Sequence, residues 1–155
     1  MRTLIAEDNL TNSQLMLKML ETWGPCEVAG DGKVAVDMYR QALADGTPFE
    51  LVCLDVMMPE MDGHEALAVI RQVEMELAVP QSKRAKVLMT SAVDATASMQ
   101  GARASGCDGY LVKPIRKYKL YEALEQLGLI TDAAAHLPPA SQSGARVMPP
   151  PPLQK

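Results

Sequence analysis

Four short stretches of this chain carry side chains that can do chemistry: the acidic pair Glu7-Asp8, the acid Asp55, the hydroxyl pair Thr90-Ser91, and Lys113 followed by Pro114. Taken singly they are ordinary, since a loop carboxylate commonly caps a helix or faces water and a lone lysine is solvated. Brought together, three carboxylates repel one another by several kcal/mol at intermediate effective dielectric, a cost that a cation among them removes. Magnesium fits such a set best. The donors are hard oxygens, no His or Cys lies nearby, and an octahedral ion leaves room for waters and a phosphate oxygen. The loop spacing of a calcium EF-hand is absent. Lys113 opposite a carboxylate can pair with Asp55 at rest and with a phosphoryl oxygen after transfer, and the Thr90 hydroxyl can donate to that same group.

These stretches are remote in sequence, so their chemistry depends on the elements that position them. Thr3-Leu4-Ile5-Ala6 reads as a strand, followed by Leu15, Met16, Met19, Leu20 and Trp23 at helical spacing. Cys26-Glu27-Val28-Ala29 precedes a second helical set, Ala35, Met38, Tyr39, Ala42 and Leu43, stopped by Gly46 and Pro48. Leu51 to Leu54 leads to Ala66, Ile70, Val73 and Leu77; Val87-Leu88-Met89 leads to a small-residue helix over 94–105; Tyr110-Leu111-Val112 leads to Leu120, Leu124 and Leu127. Five βα units result, and the nearly continuous apolar strands one, three and four predict a parallel sheet covered by helices on both faces. In such an open α/β sheet, ligands bind beyond the carboxyl ends of the strands. Glu7, Asp8, Asp55, Thr90 and Lys113 all stand at those ends.

The 155 residues predict one domain over residues 1–130 and a tail over 131–155, which holds six of the eleven prolines, four of them consecutive at 149–152. A segment so poor in large apolar side chains cannot offset its ordering entropy and is expected to be flexible. Composition is that of a globular protein, 48% hydrophobic and 22% charged, and 15 basic against 19 acidic residues argue against non-specific nucleic-acid binding. No apolar run reaches the roughly 20 residues that span a bilayer, and no signal peptide is visible, so a cytoplasmic location without membrane contact is expected. Cys26, Cys53 and Cys107 are too scattered for a disulfide framework and are expected to be reduced and mostly buried.

With these residues in view, the chain resembles the receiver domain of two-component response regulators. The resemblance is carried by Glu7-Asp8, by Leu54-Asp55-Val56-Met57-Met58-Pro59-Glu60-Met61-Asp62-Gly63, by Thr90-Ser91-Ala92 and by Gly109-Tyr110-Leu111-Val112-Lys113-Pro114. It implies a flavodoxin-like (βα)5 three-layer sandwich with strand order 2-1-3-4-5. It further implies that Asp55 is a phosphoacceptor attacking the phosphohistidine of a sensor histidine kinase or histidine phosphotransfer protein. Under the same resemblance Asp8, Asp55 and the backbone carbonyl of Met57 bind Mg²⁺ directly, and Glu7, one methylene longer than the commoner Asp, serves through water. Thr90 and Tyr110 form the switch that alters the surface presented to an unidentified downstream protein, with Ile115 and Tyr118 nearby. Leu10 and the Pro114-Ile115 loop are the expected docking area for the phosphodonor, and the Lys113-Pro114 bond is expected to be cis. With few residues after 130, a single-domain signalling protein, a phosphoacceptor and not an enzyme, is the expectation.

Two positions that flank the hydrolytic water in the family are here Met57 and Ala92, neither of which can orient it. Other functions fit less well. A magnesium-dependent phosphatase of the haloacid-dehalogenase type wants a second acid two residues after its nucleophile, where this chain has Met57. A flavin binder wants a Ser/Thr/Gly-rich phosphate loop after strand one. A receiver-like module that is never phosphorylated has no need of Asp55, Thr90 and Lys113 together. Met57, Met58, Met61 and Met89 are read as packing and not as soft-metal ligands, and His64 as a surface residue.

Overall fold

The computed structural model describes residues 1–92 and 106–131. Five strands, β1 (Thr3–Ala6), β2 (Cys26–Ala29), β3 (Leu51–Asp55), β4 (Lys86–Ser91) and β5 (Gly109–Val112), form one parallel sheet in the order β2-β1-β3-β4-β5. The described helices are α1 (Leu10–Leu20), α2 (Gly32–Ala44), α3 (Gly63–Glu76) and α4 (Lys117–Gln126). The expected helix over 94–105 and the proline-rich tail beyond residue 131 lie outside the described residues.

Strand alternation divides the core into two layers. Leu4, Ala6, Val52, Leu54, Val87 and Met89 point to one face, where α2 and α3 cover them with Val36, Tyr39, Leu67 and Ile70. Ile5, Leu51, Cys53, Leu88 and Leu111 point to the other, under Met16, Met19 and Leu20 of α1 and Leu120, Tyr121 and Leu124 of α4. Each fully buried valine, leucine, isoleucine or methionine among them contributes about 1.5–3 kcal/mol. Three of the four helices begin on a side-chain cap: Asn9, Asp31 and Asp62 accept from the backbone N–H groups of Asn12, Val34 and Glu65 at 3.0, 2.8 and 2.9 Å. No helix among the described residues is long and apolar enough to cross a membrane.

Some assignments from periodicity shift. Leu15 is exposed, and Trp23 sits beyond α1 in a 3₁₀ turn (Glu21–Trp23), from which its ring meets Tyr121 edge-on at 5.3 Å. Leu77 lies past the end of α3 and is also exposed. For Trp23 and Leu77 the apolar spacing runs on past a helix that has already stopped, whereas Leu15 lies within α1 but off its buried face. The larger surprise is Glu74, completely buried in α3. Its carboxylate accepts from the Tyr39 hydroxyl and from the Ala85 N–H at 3.1 Å, and it pairs with Arg71 at 2.9 Å. Arg71 in turn reaches Asp108 at 2.8 Å and the carbonyls of Ala85 and Gly106. Burial, followed by the Glu74 hydrogen bond, pushes the Tyr39 hydroxyl well above the ordinary tyrosine range.

Candidate functional site

The register of the sheet brings the four stretches together. Ala6 pairs with Leu54 and Asp55 with Thr90, so Glu7, Asp55 and Thr90 come level at the carboxyl edge of three adjacent strands. Ser91 pairs with Val112, and the Ser91 carbonyl accepts the Lys113 N–H at 2.7 Å, which delivers Lys113 to the same rim. The Lys113-Pro114 bond is cis.

Asp55 ends β3, and the loop after it must fold back at once to start α3. Gly63 makes this possible: a Cβ there would lie 2.4 Å from the Asp55 carbonyl oxygen, whereas the glycine N–H donates to the Val56 carbonyl at 3.0 Å. On the outer side, a Cβ on Gly32 would lie 2.2 Å from the Met61 carbonyl, so the start of α2 packs directly on this loop. Asp62, the last loop residue, is the cap of α3.

Within the rim, carboxylate oxygens of Glu7, Asp8 and Asp55 lie within 4.8 Å of one another. Glu7 and Asp55 are buried and Asp8 is exposed. The Lys113 ammonium donates to both buried acids, at 2.7 Å to Glu7 and 2.9 Å to Asp55. Each acid also accepts a backbone N–H: Asn9 to Glu7 at 3.1 Å and Met57 to Asp55 at 3.2 Å. Burial raises the Glu7 carboxyl above its ordinary value despite the opposing Lys113 and Asn9 hydrogen bonds. Burial acts to lower Lys113, but its hydrogen bonds to Glu7 and Asp55 prevail and hold it above the usual lysine value. The ammonium therefore stays charged at neutral pH, one cation shared by two of the three acids.

The donor set suits a divalent ion. All three side chains offer hard oxygen, the spacing lets oxygens share one cation directly or through water, and the exposed Asp8 leaves the cluster open on one side. The sequence pairs Lys113 with Asp55 alone; its shorter contact is with Glu7, an interaction for which strand-end position was the available signal. The Thr90 side chain is buried at the same edge. Tyr110 is half-buried, its ring packed toward the α2–α3 core and its hydroxyl shielded from water without a hydrogen-bond partner among the described residues. Met57 projects outward beside Asp55, and Ala92 is exposed. His64 is half-buried and not a fully exposed surface residue. Of the cysteines, all free, only Cys53 is fully buried. Next to the rim, a cavity of about 50 Å³ is lined by Glu7, Asn12, Leu15, Thr90, Lys113 and Ile115, among others, with Leu10 exposed on the same helix as Leu15.

Comparison with known proteins agrees with this arrangement. A family model described as the response regulator receiver domain matches residues 3–125. Probable histidine kinase 2 of Oryza sativa subsp. indica is 32% identical over 80% of the chain, which spans only 12% of that kinase. The probable methanogenesis regulatory protein FilR2 of Methanothrix harundinacea is 31% identical, over 80% of this chain and 79% of its own length. Among solved structures, the chemotaxis protein CheY4 of Vibrio cholerae superposes with a TM-score of 0.64 at 28% identity, covering 81% of this chain and 96% of that one. The receiver domain of Saccharomyces cerevisiae Ssk1, crystallised with the histidine phosphotransfer protein Ypd1, shares the fold with a TM-score of 0.72 at 23% identity, covering 85% and 93%.

Proposed function

The chain belongs to the response regulator receiver domain family of two-component signalling, and we propose that it takes up a phosphoryl group on Asp55 from a phosphohistidine. The observation that carries this reading is the lysine shared by two buried carboxylates, with a third acid open to solvent beside them. An Asp55 oxygen attacks phosphorus, the phosphorus–nitrogen bond of the donor breaks, and the imidazole leaves with a proton. Asp8, Asp55 and the Met57 carbonyl would hold Mg²⁺, with Glu7 acting through water, and the ion when bound would supply positive charge that offsets the phosphoryl oxygens. Asp55 is held for attack by the Met57 N–H on one oxygen and Lys113 on the other. After transfer Lys113 turns from the lost carboxylate charge to a phosphoryl oxygen while Glu7 keeps its anchor, and the Thr90 hydroxyl donates to the same group. The added charge of roughly −1.5 to −2 draws Thr90 inward and changes the packing open to Tyr110, so that the face bearing Tyr110, Ile115 and Tyr118 signals to a protein partner.

A donor histidine kinase or phosphotransfer protein docks over α1 and the Pro114-Ile115 loop, where Leu10 and Leu15 expose apolar surface beside the rim cavity. The test is incubation with acetyl phosphate or phosphoramidate and Mg²⁺, read by intact mass. A gain of one phosphoryl group that is absent in Asp55→Asn supports the reading; no gain, or a gain that survives in the variant, refutes it.

The same assay reads the lifetime of the adduct. Neither Met57 nor Ala92 can hydrogen-bond a hydrolytic water through its side chain, so the acyl phosphate is expected to outlast seconds in Mg²⁺. Met57→Asn combined with Ala92→Glu supplies two groups able to position that water and is expected to hasten loss about tenfold. Loss within seconds from the unmodified protein contradicts this.

A further inference from the structure

We propose that Met57 is a peroxide-sensitive modification site, whose conversion to the sulfoxide shortens the life of the acyl phosphate on Asp55. The consequence for the phosphate rests on the function proposed above; the modification itself rests on the geometry alone.

Met57 is 71% exposed, which leaves its sulfur open to a soluble oxidant, and it stands two residues beyond Asp55. Its own N–H is bonded to Asp55 Oδ1, so the root of the side chain is fixed against the carboxylate. Other sulfur groups are poor competitors for an oxidant. Met16, Met19 and Met89 are in the core, and burial pushes the thiols of Cys26 and Cys107 up and that of Cys53 to about 12, which keeps reactive thiolate scarce. Among the described methionines only Met75, at 69%, is as open as Met57, and it lies in the last turn of α3, away from the rim.

The reaction is a two-electron transfer to hydrogen peroxide. The thioether sulfur attacks one peroxide oxygen, the oxygen–oxygen bond breaks, a sulfur–oxygen bond forms, and the peroxide is reduced to water. The product replaces an apolar side chain by one with a strong acceptor oxygen. At the mouth of the site that oxygen can hold a proton of the water that attacks the acyl phosphate, which the thioether cannot do.

The experiment treats the protein with dilute hydrogen peroxide, maps oxidation by peptide mass, removes the peroxide, phosphorylates with acetyl phosphate and Mg²⁺, and follows loss of the phosphoryl group by intact mass. Met57→Leu and Met75→Leu are carried in parallel, each compared with its own untreated sample. Met57 and Met75 are expected to oxidise ahead of the core methionines, and oxidation is expected to shorten the half-life about threefold or more in the unmodified sequence and in Met75→Leu. No such change is expected in Met57→Leu, which separates Met57 from every other methionine. An untouched Met57, an unchanged half-life, or an equal response in Met57→Leu overturns the inference and leaves Asp55 phosphorylation standing. Failure of every untreated sample to take up phosphate overturns Asp55 phosphorylation and with it the effect on half-life, while the peptide map still decides the modification of Met57.

Discussion

Lys113→Met is expected to slow phosphorylation of Asp55 about 100-fold, the scale on which removing one well-placed donor from a charge-developing site lowers a rate. The ammonium bonds directly to the carboxylate cluster and reaches both buried members at under 3 Å. Methionine keeps the length and apolar stem of lysine, so the loss is of charge and hydrogen bonds and not of packing. A pH signature distinguishes this from simple misfolding. The Glu7 carboxyl already stands above its ordinary 4.5 through burial, and Lys113 is the strongest influence pulling it down. Without the lysine it rises further, so the folded variant binds that proton more tightly than the unfolded chain does. Its stability is therefore greatest when Glu7 is protonated and falls as pH rises from the ordinary glutamate value through the raised one. Relative to the unmodified protein, denaturant midpoints of Lys113→Met should fall as pH rises above the ordinary glutamate value. Phosphorylation within a few-fold of normal, or parallel pH profiles, would remove Lys113 from the central role given to it here.

Much of this site is legible in the sequence because sheet geometry does the gathering. Once Thr3–Ala6, Leu51–Asp55, Lys86–Ser91 and Gly109–Val112 are recognised as parallel strands, the polar residues at their carboxyl ends have nowhere else to go. Runs such as Leu51-Val52-Cys53-Leu54 mark themselves by being apolar on both faces. What periodicity misses are ends and exceptions. Leu77 continues the spacing of α3 by one turn, but the helix stops at Glu76 and the side chain is left in solvent. Trp23 continues that of α1, yet the chain has tightened into a 3₁₀ turn ahead of Gly24. The Glu7–Lys113 pair joins residues 106 positions apart, and no local pattern encodes it. Glu74 is different: Leu67, Ile70 and Glu74 follow one another at helical spacing, so its place on the buried face was written in the pattern. A charged side chain is assigned to water by default, and that default hid it.

The consequence of that buried acid is the second large effect. Glu74→Ala is expected to destabilise the fold by about 3–5 kcal/mol, the usual result of removing one partner from a buried ion pair. Four losses contribute. The Tyr39 hydroxyl and the Ala85 N–H are left without their acceptor, Arg71 keeps Asp108 but loses its fully desolvated partner, and the removed side chain leaves a void between α2, α3 and the start of β4. Tyr39→Phe deletes one donor while Glu74 retains Arg71 and Ala85, and should cost only about 1 kcal/mol. Because the two residues share one network, the double variant should be less unstable than the sum of the singles. Ala85 and Asp108 precede β4 and β5, at the end of the sheet opposite Asp55. Folded Glu74→Ala should therefore take up phosphate from acetyl phosphate at close to the normal rate. Equilibrium denaturation decides the matter: strict additivity, or a loss in Glu74→Ala no greater than in Tyr39→Phe, would mean that the carboxylate is not what joins the two helices to the foot of the sheet.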